Sequence, residues 1–99
     1  MIAVGIIGAS GFTGAELLRI CANHPSFEVV VATGDTQVGN RVADLYPSLA
    51  AAYPETTFAS ATPEATKGCD LVFFGLPHGA SQEFVPAVRE TTDVVLSLI

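Results

Sequence analysis

Three glycines recur at intervals of three residues in GASGFTG, the stretch Gly8–Gly14. An apolar run, Ile2–Ile7, precedes it and is typical of a strand buried on both faces of a parallel sheet. The residues that follow the glycine-rich stretch, Ala15–Ala22, are rich in helix formers and predict a helix. A glycine-rich turn between such a strand and such a helix can bind a phosphate, because free backbone N–H groups and the helix dipole both attract an anion.

Each glycine has its own predicted role in such a turn. Gly8 allows the sharp bend, Gly11 lets a phosphate approach the backbone, and Gly14 lets the helix pack closely. Ser10 and Thr13 add hydroxyl donors. The spacing G-x-x-G-x-x-G differs from the more familiar G-x-G-x-x-G, and either pattern also occurs in turns without a ligand. The position between strand and helix favours a dinucleotide-binding turn.

An acidic residue after the second predicted strand, Phe27–Thr33, bears on which dinucleotide binds. Asp35 lies about 20 residues beyond Gly14, where an acid commonly binds the ribose hydroxyls of NAD. In that role it would repel a 2′-phosphate and favour NAD over NADP. It is equally consistent with a solvated aspartate in a turn. The nearest basic residue that could pair with a 2′-phosphate is Arg41.

A second loop follows a strongly apolar run, Asp70–Leu76, which predicts another buried strand. Pro77 and Gly79 shape this loop and His78 lies at its tip. In a doubly wound sheet the loops at the carboxyl ends of the strands line the ligand crevice. A lone loop histidine is often merely exposed, but beside a cofactor-binding turn we favour contact with the cofactor or substrate.

Strand and helix patterns alternate along the rest of the chain. Because parallel strands need crossover connections, this alternation predicts an α/β fold. We expect a Rossmann-like doubly wound parallel sheet that is incomplete, with about five strands and helices on both faces. The remaining predicted elements are a strand at Thr57–Ala59, a short helix from Thr62-Pro63 to Gly68, a helix at Ser81–Glu90 interrupted by Pro86, and a final apolar run at Asp93–Ile99.

Composition limits the classes of function. The chain has 99 residues, enough for one small domain, and its net charge of −6 argues against nucleic acid and anionic membranes as partners. It has neither a continuous apolar stretch of the ~20 residues that span a membrane nor a basic region ahead of its first apolar run, so we expect a cytoplasmic protein. Cys21 and Cys69 provide neither a disulfide framework nor metal-ligand spacing, and they are predicted as core residues.

Three stretches together resemble the N-terminal portion of N-acetyl-gamma-glutamyl-phosphate reductase: VGIIGASGFTGAELLRICANHP, VADLYPSL and DLVFFGLPHGAS. Aspartate-semialdehyde dehydrogenases share the opening turn, but LPHG fits them less well. The resemblance implies an NADP-dependent reductase of arginine biosynthesis. In that family a cysteine attacks an acyl phosphate, and hydride from NADPH reduces the resulting thioester to a semialdehyde. The residues that match its pyrophosphate turn are Gly8, Ser10, Gly11, Phe12, Thr13 and Gly14, and those that match its second cofactor loop are Pro77, His78 and Gly79.

The chain departs from this family in three places. The family's catalytic cysteine lies in a later PGCYPT-type motif, and neither this motif nor the catalytic histidine has a counterpart here, so we assign no catalytic residue. Gly34-Asp35 stands where the family often has a serine and an arginine suited to a 2′-phosphate, which leaves NAD possible beside NADP. The last strand of the family continues as VVDLSADFRL, whereas this chain reads VVLSLI.

Residues 1–99 are therefore predicted to be the N-terminal part of a dinucleotide-binding domain, without a substrate domain and inactive alone. The alternative is a stand-alone or excised nucleotide-binding module without catalysis. A short-chain reductase is disfavoured, because neither Tyr46 nor Tyr53 has a lysine four residues later. An incomplete sheet exposes an edge, so besides a dinucleotide we expect as partners a second copy of the chain or the missing substrate domain.

Overall fold

The computed structural model describes residues 2–34, 37–60, 62–75, 86, 88–90, 92 and 94–97. Strands alternate with helical segments along the chain, as the sequence pattern predicts. The strands are β1 (Ile2–Ile7), β2 (Phe27–Gly34), β3 (Ala59–Ser60), β4 (Leu71–Phe74) and β5 (Val94–Ser97). The helical segments are α1 (Phe12–Ala22), α2 (Val42–Leu45) and two 3₁₀ turns, Pro47–Leu49 and Pro63–Thr66.

The five strands form one sheet in the order β3-β2-β1-β4-β5, and every neighbouring pair is parallel. This order is that of a doubly wound sheet, so the predicted fold class is confirmed. Successive connections run outward from β1 to β2 and β3, and then return across β1 to reach β4. The strand order therefore reverses between β1 and β4, and the carboxyl ends of these two strands are where such folds bind ligands.

Two apolar clusters cover the two faces of the sheet. On one face α1 packs Leu17, Leu18 and Cys21 against Val4 and Ile6 of β1. Leu18 is fully buried, which contributes about 1.5–3 kcal/mol. The cluster on the other face consists of Ile7, Cys69, Val72, Phe74 and Val88. Both cysteines are buried and free, so their prediction as core residues is confirmed.

The start of α1 differs from the prediction. The helix begins at Phe12 rather than at Ala15, and Gly14 lies inside it. Glycine is a poor helix former, but here the close packing of Gly14 outweighs its low propensity. Ala22, the last residue of the helix, is exposed.

The third strand and its neighbours also differ in their bounds. Pairing with the end of β2 sets β3 at Ala59–Ser60 instead of Thr57–Ala59, and Thr57 forms only an isolated bridge with Arg41. The segment after Thr62 is a 3₁₀ turn, Pro63–Thr66, without a side-chain cap from Thr62. Of the predicted fourth strand, Asp70–Leu76, the structure has β4 over Leu71–Phe74, where it pairs with β1; Asp70 and Gly75 lie outside the strand, and Leu76 is outside the described residues.

The helix predicted at Ser81–Glu90 is only partly described. Pro86, Val88 and Arg89 are helical. Residues 81–85 and 87 lie outside the described residues. Val88 is fully buried against the second apolar cluster. Within the described part of the chain, no helix has the length and apolar character needed to cross a membrane.

Candidate functional site

The glycine-rich turn leaves the carboxyl end of β1 and is attached to β2. Gly8 has a φ of +82°, a conformation that favours glycine. Its N–H donates to the hydroxyl oxygen of Thr33 at 2.9 Å, and the N–H of Ala9 donates to the Thr33 carbonyl at 2.7 Å. Thr33 is fully buried. One residue of β2 therefore holds the first half of the turn through both its side chain and its backbone.

A second attachment comes from the segment after α2. The phenol of Tyr46 donates to the Ser10 carbonyl at 2.6 Å. Tyr46 lies between α2 and the 3₁₀ turn, and its side chain is half-buried against the first apolar cluster. Sequence reasoning missed both Thr33 and Tyr46 as residues of this site. The only signal for Tyr46 was its place in the YPSL stretch, and no spacing rule links either residue to the turn.

Gly14 brings the first turn of α1 directly against the glycine-rich turn. A Cβ atom at this position would lie 2.3 Å from the Ala9 Cα and 2.5 Å from the Gly8 carbonyl oxygen. Both neighbours are backbone atoms, which cannot move aside as the end of a flexible side chain could. The close approach predicted for the third glycine is present, and it requires glycine at position 14.

Gly11 is different, because a Cβ atom there would meet no atom within 4 Å among the described residues. Gly11 is the N-cap of α1, and its carbonyl accepts the first helical bond, from the Ala15 N–H at 2.9 Å. The N–H groups of Phe12, Thr13 and Gly14 precede that bond and have no acceptor within the helix. The first turn carries no acidic residue. Open space therefore lies beside several donors that have no acceptor among the described residues, which is the arrangement that a pyrophosphate requires.

The side chains around this space are of two kinds. Ser10 and Thr13 belong to the turn and are half-buried. Phe12, the first residue of α1, is 92% exposed. Covering an exposed aromatic ring is favourable, because it removes apolar surface from water. The position of Phe12 next to the N–H groups at the start of α1 makes its ring a candidate contact surface for a ligand.

The end of β4 lies beside the same turn. The N–H of Gly75 donates to the Ile7 carbonyl at 2.8 Å. A Cβ atom on Gly75 would lie 3.4 Å from the Gly8 carbonyl oxygen and 3.6 Å from the Gly14 nitrogen. The fold therefore brings the start of the second predicted loop to the glycine-rich turn. The loop residues predicted to contact the cofactor, Pro77, His78 and Gly79, lie outside the described residues.

Asp35 also lies outside the described residues. The structure does describe Gly34, which precedes it, and Arg41, the basic residue predicted as an alternative partner for a 2′-phosphate. A Cβ atom on Gly34 would lie 3.1 Å from the Cβ of Phe58, so a larger residue there would require Phe58 to shift. Arg41, the nearest basic candidate for a 2′-phosphate, pairs with Asp44, with 3.1 Å between Nη2 and Oδ1. The Asp44 carboxylate raises the pKa of the Arg41 guanidinium, and both side chains are exposed.

The two cysteines are buried, and His24 packs against a neighbouring ring. Burial raises the pKa of the Cys21 thiol, and burial together with the Asp70 charge raises that of Cys69. Both groups are therefore held as thiols, which are poor nucleophiles. His24 stacks on Phe27 with ring centroids 3.9 Å apart. It lies at the amino end of β2, away from the glycine-rich turn.

Comparisons with known proteins agree with this geometry. Residues 3–98 match the family described as semialdehyde dehydrogenase, NAD binding domain. The chain is 48% identical over 98 residues to an N-acetyl-gamma-glutamyl-phosphate reductase from Marinobacter nauticus, covering 99% of this chain and 28% of the relative. It is 47% identical over 81 residues to the reductase of the same name from Ectopseudomonas mendocina, covering 82% and 24%. The chain thus spans about a quarter of the length of these relatives.

A solved structure shares the fold. The crystal structure of aspartate semialdehyde dehydrogenase with NADP from Candida albicans superposes with a TM-score of 0.84, covering 98% of this chain and 29% of that one. Its sequence identity is 22%, so this likeness concerns the fold alone. The glycine-rich turn and the doubly wound strand order agree with the family match over residues 3–98, and the chain belongs to the NAD-binding domain family of the semialdehyde dehydrogenases.

Proposed function

We propose that this chain is the NADP-binding portion of an N-acetyl-gamma-glutamyl-phosphate reductase. The whole enzyme would reduce an acyl phosphate to a semialdehyde in the cytoplasm, as a step of arginine biosynthesis. The observation that carries the proposal is the open space at Gly11, beside the free N–H groups of α1. The names of the relatives support the choice of reaction, and the NADP in the crystal structure of the Candida albicans dehydrogenase supports the choice of cofactor.

The residues of this chain bind and orient, and they do not perform the chemistry. The N–H groups from Gly11 to Gly14 hold the pyrophosphate, and the hydroxyls of Ser10 and Thr13 add donors to it. The close contact of Gly14 with Ala9 keeps these donors in place before the ligand arrives. When bound, the nicotinamide supplies the hydride. The isolated chain binds the cofactor without turnover, because the family's catalytic cysteine and histidine have no counterpart in it.

Calorimetric titration of the 99-residue chain with NADP⁺ and NAD⁺ tests the proposal, with Gly11→Ala as the main variant. The methyl group enters open space, so it causes no clash. Alanine is a poorer N-cap than glycine, and we expect this to cost less than about 1 kcal/mol of stability. It occupies the position that a phosphate would take, and we expect NADP⁺ affinity to fall at least tenfold.

Gly68→Ala is the matched control. Gly68 also has open space for a Cβ atom, but it lies at the amino end of β4 with a φ of +89°. It loses about 1–2 kcal/mol of stability and keeps its affinity for NADP⁺. A folded wild-type chain that binds neither dinucleotide contradicts the proposal, and so does a Gly11→Ala variant that binds as tightly as wild type.

A further inference from the structure

The hydrogen bond between Tyr46 and Ser10 connects two parts of the chain 36 residues apart, at a distance of 2.6 Å. The backbone around Tyr46 holds the ring in place. The Tyr46 N–H donates to the Val42 carbonyl at 2.8 Å, its carbonyl accepts from the Leu49 N–H at 2.9 Å, and the following Pro47 disfavours the helical region for its backbone. The backbone of Tyr46 is therefore restrained, and its half-buried ring packs against the first apolar cluster while the phenol reaches the turn.

This bond determines the orientation of one peptide group in the turn. The Ser10–Gly11 peptide is trans, so its C=O and N–H point in opposite directions. When the Ser10 carbonyl is held by Tyr46, the Gly11 N–H points away from Tyr46. It has no acceptor among the described residues. Rotation of the same peptide by half a turn would replace this donor with a carbonyl oxygen, which repels an anion.

We propose that Tyr46 is a positioning residue for the bound pyrophosphate: its phenol holds the Ser10–Gly11 peptide with the N–H available to the anion and the carbonyl turned away from it. This inference rests on the proposed function, since it assumes that the turn binds a dinucleotide. Tyr46 itself does not touch the ligand. It acts by keeping a donor in the orientation that the pyrophosphate needs, so that binding does not require the peptide to reorient.

The chain contains a closely matched control for this role. The phenol of Tyr53 also donates to a backbone carbonyl, that of Leu18, at 2.7 Å. Tyr53 is buried and its acceptor lies in the middle of α1, one helical turn beyond Gly14. Tyr46→Phe and Tyr53→Phe thus remove the same chemical group and the same type of bond. A purely structural hydrogen bond would give both variants the same kind of effect.

The experiment compares the wild-type 99-residue chain with these two variants. Calorimetry measures affinity for NADP⁺ and for adenosine 2′-monophosphate, which lacks the pyrophosphate. We expect Tyr46→Phe to weaken NADP⁺ binding about tenfold and to leave the affinity for the monophosphate within about twofold. Tyr53→Phe lowers the melting temperature and leaves both affinities unchanged.

Spectra of the chain labelled with ¹⁵N-glycine report directly on the Gly11 N–H. NADP⁺ shifts the Gly11 amide resonance in the wild-type chain, and in Tyr46→Phe this shift is reduced while the Gly68 resonance is unaffected. The inference is overturned if NADP⁺ leaves the wild-type Gly11 amide unmoved. Equal NADP⁺ affinity of Tyr46→Phe and wild type overturns it too, as does equal weakening of both ligands.

The proposed function and this inference fail in different ways. A wild-type chain that does not bind NADP⁺ removes the proposed function, and this inference with it. A wild-type chain that binds NADP⁺, together with a Tyr46→Phe variant that binds equally well, removes only the inference.

Discussion

The backbones of Gly14 and Ala9 are in direct contact, because the first turn of α1 rests on the turn that leaves β1. A Cβ atom on Gly14 would lie 2.3 Å from the Ala9 Cα, a distance too short for any Cβ atom to be accommodated. This contact orients the N-terminus of α1 toward the carboxyl ends of β1 and β4. The N–H groups at the start of α1 therefore face the point where the strand order reverses, which is where such folds bind ligands.

Gly14→Ala is expected to destabilise the chain by about 3 kcal/mol or more, because the methyl group forces α1 away from the turn. Alanine inside a helix would otherwise gain about 1 kcal/mol over glycine, so the sign of the effect is diagnostic. Urea unfolding followed by circular dichroism measures the difference. Gly11→Ala, which has room for its methyl group, is the control. A Gly14→Ala chain as stable as wild type would show that the contact is not tight.

Phe12 is expected to be covered when a dinucleotide binds, since its ring is 92% exposed beside the free N–H groups. The chain has no tryptophan, so Phe12→Trp introduces a single fluorescent probe. We expect NADP⁺ to shield this probe from quenching by acrylamide. Ile20→Trp, at a position 50% exposed on the same helix, is the control and stays accessible. Equal accessibility of the Phe12→Trp probe with and without NADP⁺ would place Phe12 away from the ligand.

Asp35→Asn is expected to raise the ratio of NADP⁺ affinity to NAD⁺ affinity about fivefold. The reason is that a partly exposed carboxylate near the ribose raises the free energy of binding a 2′-phosphate by about 1 kcal/mol through charge repulsion. Calorimetry with both dinucleotides measures the ratio. Glu28→Gln removes the same charge from an exposed position near the amino end of β2, and it controls for the change in net charge. An unchanged ratio in Asp35→Asn would mean that Asp35 is a solvated turn residue.

The stability of the chain is expected to fall between about pH 10 and pH 12. Burial raises the pKa of Tyr53 from 10.0 to about 12, and the Cys21 charge adds to the shift. In this interval the unfolded chain has lost the phenol proton and the folded chain still binds it, so the free energy of unfolding decreases as pH rises. The loss from Tyr53 amounts to about 2–3 kcal/mol. Urea unfolding over a pH series measures it.

Tyr53→Phe is the control for this pH dependence, because it keeps the ring and removes the titrating group. Its free energy of unfolding should fall less steeply with pH than that of wild type over the same interval. Parallel curves for the two proteins would assign the alkaline loss of stability to other groups, such as the buried thiols.

The 99-residue chain is expected to associate with itself. β5 lies at one end of the sheet and pairs only with β4 among the described strands, so one side of its backbone is available for a further strand. Light scattering from micromolar to millimolar concentration measures the mass. A strictly monomeric chain over that range would contradict the expectation.

Much of the fold could be predicted because the relevant signals are local. The apolar run Ile2–Ile7 matches β1, and Phe27–Thr33 falls one residue short of β2. The alternation of strands and helices was enough to imply a parallel sheet, because parallel pairs need crossovers. The glycine spacing located the candidate turn, and the order of the quoted motifs identified the family. The bounds of α1, β3 and β4 were less accurate, since pairing and packing with distant residues determine where they begin and end.

The sequence by itself determined which residues form strands and helices, where the glycine-rich turn lies, and which family the chain resembles. Only the tertiary structure decided that Thr33 and Tyr46 hold this turn, across 25 and 36 residues of chain. It also distinguished Gly14, which has no room for a side chain, from Gly11, which has open space. Periodicity reports which face of an element is buried, whereas the partner of a single hydroxyl depends on how the elements pack together.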